Sequence, residues 1–329
     1  MAVIPELGKE YPAPGEEQDI KEIIDTIIQH LKRVYPAGKT LRQFHAKMHG
    51  FVEAAFIVEK DLPLHMRHGF LQPGQTFKAR IRFSNGSAQV VDDRKADLRG
   101  MAIKLLNVPG NMLVQDEKML QSQDLLLVSY PTLMSPHVAD FKRNIKAICG
   151  GFFGMLGFGV NPINWPTLVR ILRSMKKMDN LFNNEYWSVS PSRLGTPDQA
   201  VKYSVVPVTR PAVIYPDKSH PDFLRNTLQQ ELNTHDFRFD FRIQFQEDAV
   251  TMPIENPCVE WRSPWHKVAE LVIPKQIFNT AERNEAGEHA SYSPWHSLPA
   301  HQPLGGISRA RKEAYSAIAA YRLQHNQNI

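Results

Sequence analysis

Between His235 and Gln246 the chain alternates without a break: Phe237, Phe239, Phe241, Ile243 and Phe245 take every second position, with Arg238, Asp240, Arg242 and Gln244 between them. Successive side chains of an extended strand point to opposite faces, so this spacing puts all five apolar groups on one side, whereas a helix would scatter them around its axis. A strand with one dry and one wet face belongs to an antiparallel barrel or sandwich. Phe51 to Val58, Thr76 to Phe83, Ala102 to Leu106, Leu125 to Val128 and Ala200 to Val208 are further β-rich runs, separated by Gly, Pro and Asn turns.

Helical patterns frame these strands. Ile20, Ile23, Ile24, Ile27, Ile28, Leu31 and Val34 predict an amphipathic helix over 18–34, stopped by Tyr35-Pro36. A helical, basic section runs from about 137 to 180. After Trp261 to Ile273 comes a loop-rich stretch with Pro294, Pro299 and Pro303, and Ser308 is placed to cap a last helix from 308 to about 324. Without internal repeats or a low-complexity linker, a single domain over 1–329 is the simplest organisation: an N-terminal arm and helix (1–36), a barrel (37–275) with a helical insertion at about 137–180, and a wrapping loop with the last helix (276–329). The fold class is α+β, an antiparallel β-barrel with surrounding helices.

The 329 residues are 42% hydrophobic, enough for a large core. A net charge of +5 fits an anionic partner, but the cations are mixed with acids and form no long basic runs, which argues against nucleic acid. Cys149 and Cys258 belong to no ligand cluster and read as packing thiols in a reducing, cytoplasmic setting. The N-terminus, rich in Pro and Glu, lacks the regions of a signal peptide. No run reaches the roughly 18 to 20 apolar residues of a membrane span. The nearest, 147–160, contains Phe152, Phe153, Met155, Leu156 and Phe158 and is flanked by Lys142, Arg143 and Lys146 on one side and Arg170, Arg173, Lys176 and Lys177 on the other. A basic rim around an apolar patch suits peripheral contact with a membrane or an anionic lipid; a buried segment with solvated charges is the other reading. Nothing specifies a homo-oligomer surface, and that question stays open.

Arg311, Tyr315 and Arg322 carry the chemistry of the last helix, because positions i, i+4 and i+11 share one face. A tyrosine binds iron as the phenolate, and its ordinary pKa of about 10 must be lowered by a cation such as Arg311. Near the other end, Arg42-Gln-Phe44-His45-Ala-Lys47, Arg82-Phe-Ser84 and Asp97-Leu-Arg99-Gly100-Met-Ala-Ile-Lys104 follow in order, and Glu288-His-Ala-Ser-Tyr-Ser-Pro294 leads towards Arg311. Together these resemble the haem-dependent catalase superfamily over roughly 36–323.

That resemblance implies haem b, with its iron held by Tyr315 on a C-terminal haem-ligand helix. His45 would be the distal acid–base, Ser84 would orient its ring, and Arg42, Arg82 and Arg322 would meet the haem carboxylates, with Phe44 and Arg311 also at the cofactor. A histidine with a pKa near 6.5 can move a proton between the two oxygens of a peroxide.

The family's pattern also breaks. Phe44 stands where catalases keep a small apolar residue. The distal asparagine that helps hold hydrogen peroxide is absent, and Gln121 aligns there, with Ser122 and Gln123 as alternatives. A Gln moves the amide by about 1.5 Å, and misplacement on that scale can cost about 100-fold in rate. The chain ends 14 residues after Tyr315, without the long extension of full catalases. The expectation is therefore a small catalase-related enzyme cleaving organic or fatty-acid hydroperoxides by peroxidase chemistry or rearrangement. True catalase, and a haem-binding or haem-free protein without catalysis, are the alternatives.

Overall fold

The computed structural model describes residues 4–36, 40, 42–114, 121–208 and 216–327, with Leu323 and Gln327 in their backbone alone. The alternating segment is a strand, Phe237–Phe245, whose four residues Phe237, Phe239, Phe241 and Ile243 are fully buried. At its end the pattern shifts: Gln244 is buried, with its side-chain nitrogen donating to the carbonyls of Trp261 and Ser263, and Phe245 is half-buried.

Nine strands occur among the described residues: β1 (Met48–Val58), β2 (Thr76–Asn85), β3 (Arg99–Leu106), β4 (Ser122–Val128), β5 (Tyr186–Trp187), β6 (Ser192–Leu194), β7 (Thr196–Pro207), β8 (Phe237–Phe245) and β9 (Trp265–Ile273). All neighbours are antiparallel. Eight close into a barrel in the order β1-β2-β3-β4-β5-β7-β8-β9 and back to β1, while β6 pairs along β7 outside the ring. One seam is thin, since β4 meets β5 through the single pair Val128 and Trp187.

Register divides each strand between two environments. In β2, β3 and β4 the interior rows are Phe83, Met101 and Leu127, then Ile81, Ile103 and Leu125, all in the barrel core with Phe56, Phe182 and Phe241. The Phe182 and Phe237 rings stack at 4.0 Å, and Phe56 meets Phe241 edge-on at 5.0 Å. The outer rows of the same strands are Ser84, Gly100 and Val128, then Arg82, Ala102 and Leu126, then Arg80, Lys104 and Asp124.

Helices cover that outer face: α1 (Glu16–Val34), α2 (Val138–Cys149), α3 (Gly151–Val160), α4 (Trp165–Ser174), α5 (Phe223–Thr234), α6 (Ala281–His289) and α7 (Gly306–Gln327). Ile20, Ile23, Ile27 and Leu31 of α1, Val138, Ile145 and Cys149 of α2, and Ile307 and Ala310 of α7 form a second apolar cluster. Cys149 is buried there, whereas Cys258, expected to be a packing thiol as well, is only half-buried.

Ser308 does not cap α7. The helix starts at Gly306, Ser308 lies inside its first turn, and its carbonyl accepts from the Trp295 indole at 2.7 Å. The N–H groups of Gly305 and Gly306 instead donate to Glu10 and Glu255, at 2.7 and 2.8 Å. Carboxylates from remote segments thus meet the positive end of the helix. The helices α5 and α6 escape a periodicity reading; α6 is polar all round, and its only local signal is Thr280, whose side chain caps Arg283 N at 3.2 Å.

Candidate active site

His45 precedes β1 in a tight loop and has a φ of 58°, a left-handed conformation that a residue with a Cβ seldom adopts. Its N–H donates to Gly86 O at 3.3 Å, and Arg82 Nη1 donates to its carbonyl at 3.0 Å. The imidazole lies on the outer face of the barrel over β2 and β3, with Nδ1 3.0 Å from Ser84 Oγ. Gly100 makes this possible, because a Cβ there would sit 2.6 Å from His45 Nδ1. Burial first, then the charges of Arg82, Arg311 and Arg42, push the imidazole pKa down to about 4, against a backbone hydrogen bond at Asn85 that raises it. The ring is therefore neutral at pH 7.

On α7, Arg311 Nη2 donates to Tyr315 Oη at 3.1 Å, and the guanidinium lies over the phenol ring, 5.3 Å from its centroid. Both side chains are half-buried. The i, i+4 spacing gives this pair its geometry.

Arg42, Arg82 and Arg322 gather beside them. Arg42 Nη1 donates to Glu288 Oε2 at 3.2 Å, and Arg82 Nη2 lies 3.5 Å from Glu288 Oε1. Arg322 reaches the carbonyl of Thr40 at 3.4 Å. Burial lowers the pKa of all three. Crowding by Arg42 lowers Arg82 and Arg322 further, to about 9 and about 10, while Glu288 raises each of them. Guanidinium does not lose its proton near neutrality, so these directions register cations short of anions. Arg82 shows it atom by atom, being 3% exposed with Nε and Nη2 lacking any hydrogen-bond partner. A buried charge left in that state is costly, and a doubly carboxylated ligand would relieve it.

Two expected site residues go elsewhere. Phe44 packs half-buried against the α1–α2–α7 cluster, so its bulk fastens the loop to the helices. Gln121 is exposed just ahead of β4. Register puts Ser122 opposite Leu106 and Val128 opposite Gly100, so Gln121, seven residues from Val128, is about 24 Å from the His45 row at ~3.4 Å per residue. Of its alternatives, Ser122 accepts from Lys104 Nζ at 3.2 Å, and the Gln123 amide is engaged with Ser297 Oγ at 2.9 Å and Leu298 N at 3.0 Å. Aliphatic Leu126 and Val128, not an amide, are the β4 residues in the two outer rows nearest His45, with Asp124 in the next.

Sequence reasoning missed the roles of Glu288 and Gly100, though both lie in recognised motifs. Three clustered arginines, Arg82 buried and Arg42 and Arg322 half-buried, call for a carboxylate, and Glu288 at the end of α6 was the available signal. Lys47 and Arg99, also motif residues, do not face the site. Lys47 Nζ is 2.7 Å from both Asp93 and Asp222, and fully buried Arg99 binds Asn85 and the carbonyls of Asp93 and Lys95.

This barrel is shared with solved structures. A bacterial catalase matches with a TM-score of 0.66 at 16% identity, covering 90% of this chain and 60% of its own. A fungal catalase gives 0.68 at 15% identity over 99% of this chain and 67% of its own. Catalase A from Saccharomyces cerevisiae gives 0.68 at 17%, over 99% and 69%. The fold is that of the catalases. Among curated proteins, a catalase-related peroxidase of Mycolicibacterium paratuberculosis is 25% identical over 264 residues, 76% of this chain and 79% of that protein. No family model matches the chain. Within the catalase fold, His45, Ser84, Arg42, Arg82, Arg311, Tyr315 and Arg322 converge between the outer face of β2–β3 and α7, while Gln121 and Phe44 lie outside that convergence.

Proposed function

We propose that the chain is a haem-dependent enzyme cleaving organic or fatty-acyl hydroperoxides, as a peroxidase or by rearrangement. The observation that carries this is Arg82, buried with Nε and Nη2 lacking a hydrogen-bond partner and sharing one carboxylate with Arg42, beside the Tyr315–Arg311 pair and a neutral histidine. These residues fit haem b: Tyr315 would hold the iron, Arg311 would hydrogen-bond its oxygen, and Arg42, Arg82 and Arg322 would meet the propionates. Bound there, the group would supply a redox-active iron that accepts the peroxide.

The chain's own part is proton handling. With Nδ1–H donating to Ser84, Nε2 of His45 is the free base. It takes the proton from the inner oxygen of the hydroperoxide and returns it to the outer oxygen as the O–O bond breaks. A pKa of about 4 keeps the ring unprotonated at neutral pH and makes the transient imidazolium a strong acid. Leu126, Val128 and Ala102 on the same face favour an alkyl group over hydrogen peroxide, which needs polar partners.

The test is the visible spectrum of protein produced with ample haem, before and after cumene hydroperoxide, alongside oxygen release from hydrogen peroxide. A high-spin ferric, tyrosinate-type Soret band that changes on adding the hydroperoxide, with consumption of it faster than of hydrogen peroxide, is the expected result. A spectrum without haem would overturn the reading, and rapid oxygen release would make the enzyme a catalase.

A further inference from the structure

The helix α4 buries polar side chains and exposes apolar ones, and α3 buries only Phe158. On α4 the buried side chains are Thr167 and Ser174, together with Asn164 just before the helix, whereas Trp165, Val169 and Leu172, at i, i+4 and i+7, form an exposed stripe. On α3, Phe152, Phe153, Leu156 and Val160 are exposed, and Ile163 between the helices joins them. Phe153 is 81% exposed, Leu172 70% and Trp165 55%. The Trp165 indole donates to Gly159 O at 3.0 Å, which ties the start of α4 to the end of α3. A contiguous patch of large apolar groups on this scale marks an interaction site.

Charge says what covers it. From 141 to 178 there are seven Lys and Arg and no Asp or Glu. Those on α2 are neutralised within the chain: Lys142 by Asp19 and Glu22, Arg143 by Asp140, and Lys146 by Glu22. Arg170, Arg173, Lys176 and Lys177, along and beyond α4, make no ion pair among the described residues. A second copy of the same face would set these cations against their like. An anionic bilayer would pair them with headgroups and take the apolar side chains into its acyl boundary. The patch overlaps only part of the run expected from sequence, since Ala147, Cys149 and Phe158 of 147–160 are buried and the exposed face extends through α4 to Met175.

We infer that the α3–α4 hairpin is a docking surface for membranes bearing anionic lipids, with Phe152, Phe153, Trp165 and Leu172 entering the interface and Arg170, Arg173, Lys176 and Lys177 on headgroup phosphates. This surface does not depend on the hydroperoxide reading, and vesicle binding and peroxide cleavage can fail separately.

The experiment is co-sedimentation of the full chain with phosphatidylcholine vesicles and with phosphatidylcholine–phosphatidylglycerol vesicles, alongside quenching of tryptophan fluorescence by brominated acyl chains. Of the five tryptophans Trp165 alone is exposed, so quenching absent from a Trp165→Phe variant reports its insertion. Expected are at least about tenfold tighter binding to the anionic vesicles, its loss in Phe152→Ser/Phe153→Ser/Leu172→Ser with the melting temperature kept, and a fall of about fivefold for each cation removed. Equal binding to both vesicles, undiminished binding of the triple variant, or binding displaced by millimolar inorganic phosphate without quenching would overturn the inference. So would a dimer that the triple variant dissociates and that ignores vesicles.

Discussion

His45 occupies a backbone region that disfavours a Cβ, by about 1–2 kcal/mol, and holds its imidazole neutral in a cationic surround. Stability and activity should therefore part at this residue. His45→Gly is expected to raise unfolding free energy by about 1 kcal/mol in urea titration while slowing hydroperoxide cleavage by about 100- to 10,000-fold, the loss of a general acid–base. Gly100→Ala pushes a methyl group against His45 Nδ1, 2.6 Å away, and should cut turnover by about 100-fold with haem still bound, measured by steady-state rate and Soret absorbance. Turnover should hold at neutral pH and fall as the pH drops through about 4, where His45 gains its proton and stops being a base. The site was legible where a residue's chemistry is unusual for its spacing, as with Tyr315 one turn after Arg311. It was illegible at Gln121, because an amide one residue from a strand start has no face until register assigns one.

The helix α7 shows how an element is fixed by distant parts. Arg309 gathers Glu10, Glu16 and Glu255, with Nε 2.6 Å from Glu16 Oε1 and Nη2 2.9 Å from Glu255 Oε2, and Glu10 and Glu255 also accept from the N–H groups of Gly305 and Gly306. Arg309→Ala would leave three partly buried carboxylates facing one another and should cost about 3 kcal/mol, read as a lower melting temperature and weaker haem retention. Sequence placed this helix within two residues of its start but assigned its cap to Ser308, because a hydroxyl before an apolar pattern is the local signal and carboxylates some 50 and 300 residues away are not. Strands were legible for a related reason: alternation in β8 is a local property, while the polar helices α5 and α6 owe their shape to the barrel they rest on.

At the scale of the molecule, His49 and His301 are both fully buried and uncharged beside His45. Burial first pushes each pKa below the ordinary 6.5, that of His301 to about 3. Unfolding lets each accept a proton below pH 6.5, so their contribution is complete above that value and is lost progressively as the pH falls below it, for His301 down to about pH 3. Thermal unfolding should show a plateau above pH 6.5 and a decline below it, shallower in His301→Asn. Barrel closure itself was only partly legible, since β5 has two residues and no pattern of its own. The buried network of Lys47, Asp93, Asn85 and Arg99 carries a different consequence, for descent. Lys47 and Arg99, both motif residues, staple the 85–97 segment through Asp93 and Asn85 and lie away from the site, so selection for folding alone would preserve them in a lineage that had abandoned peroxide chemistry. His45 and Tyr315, outside that network, would be free to drift, and they are positions by which an active lineage and a silent one can be told apart.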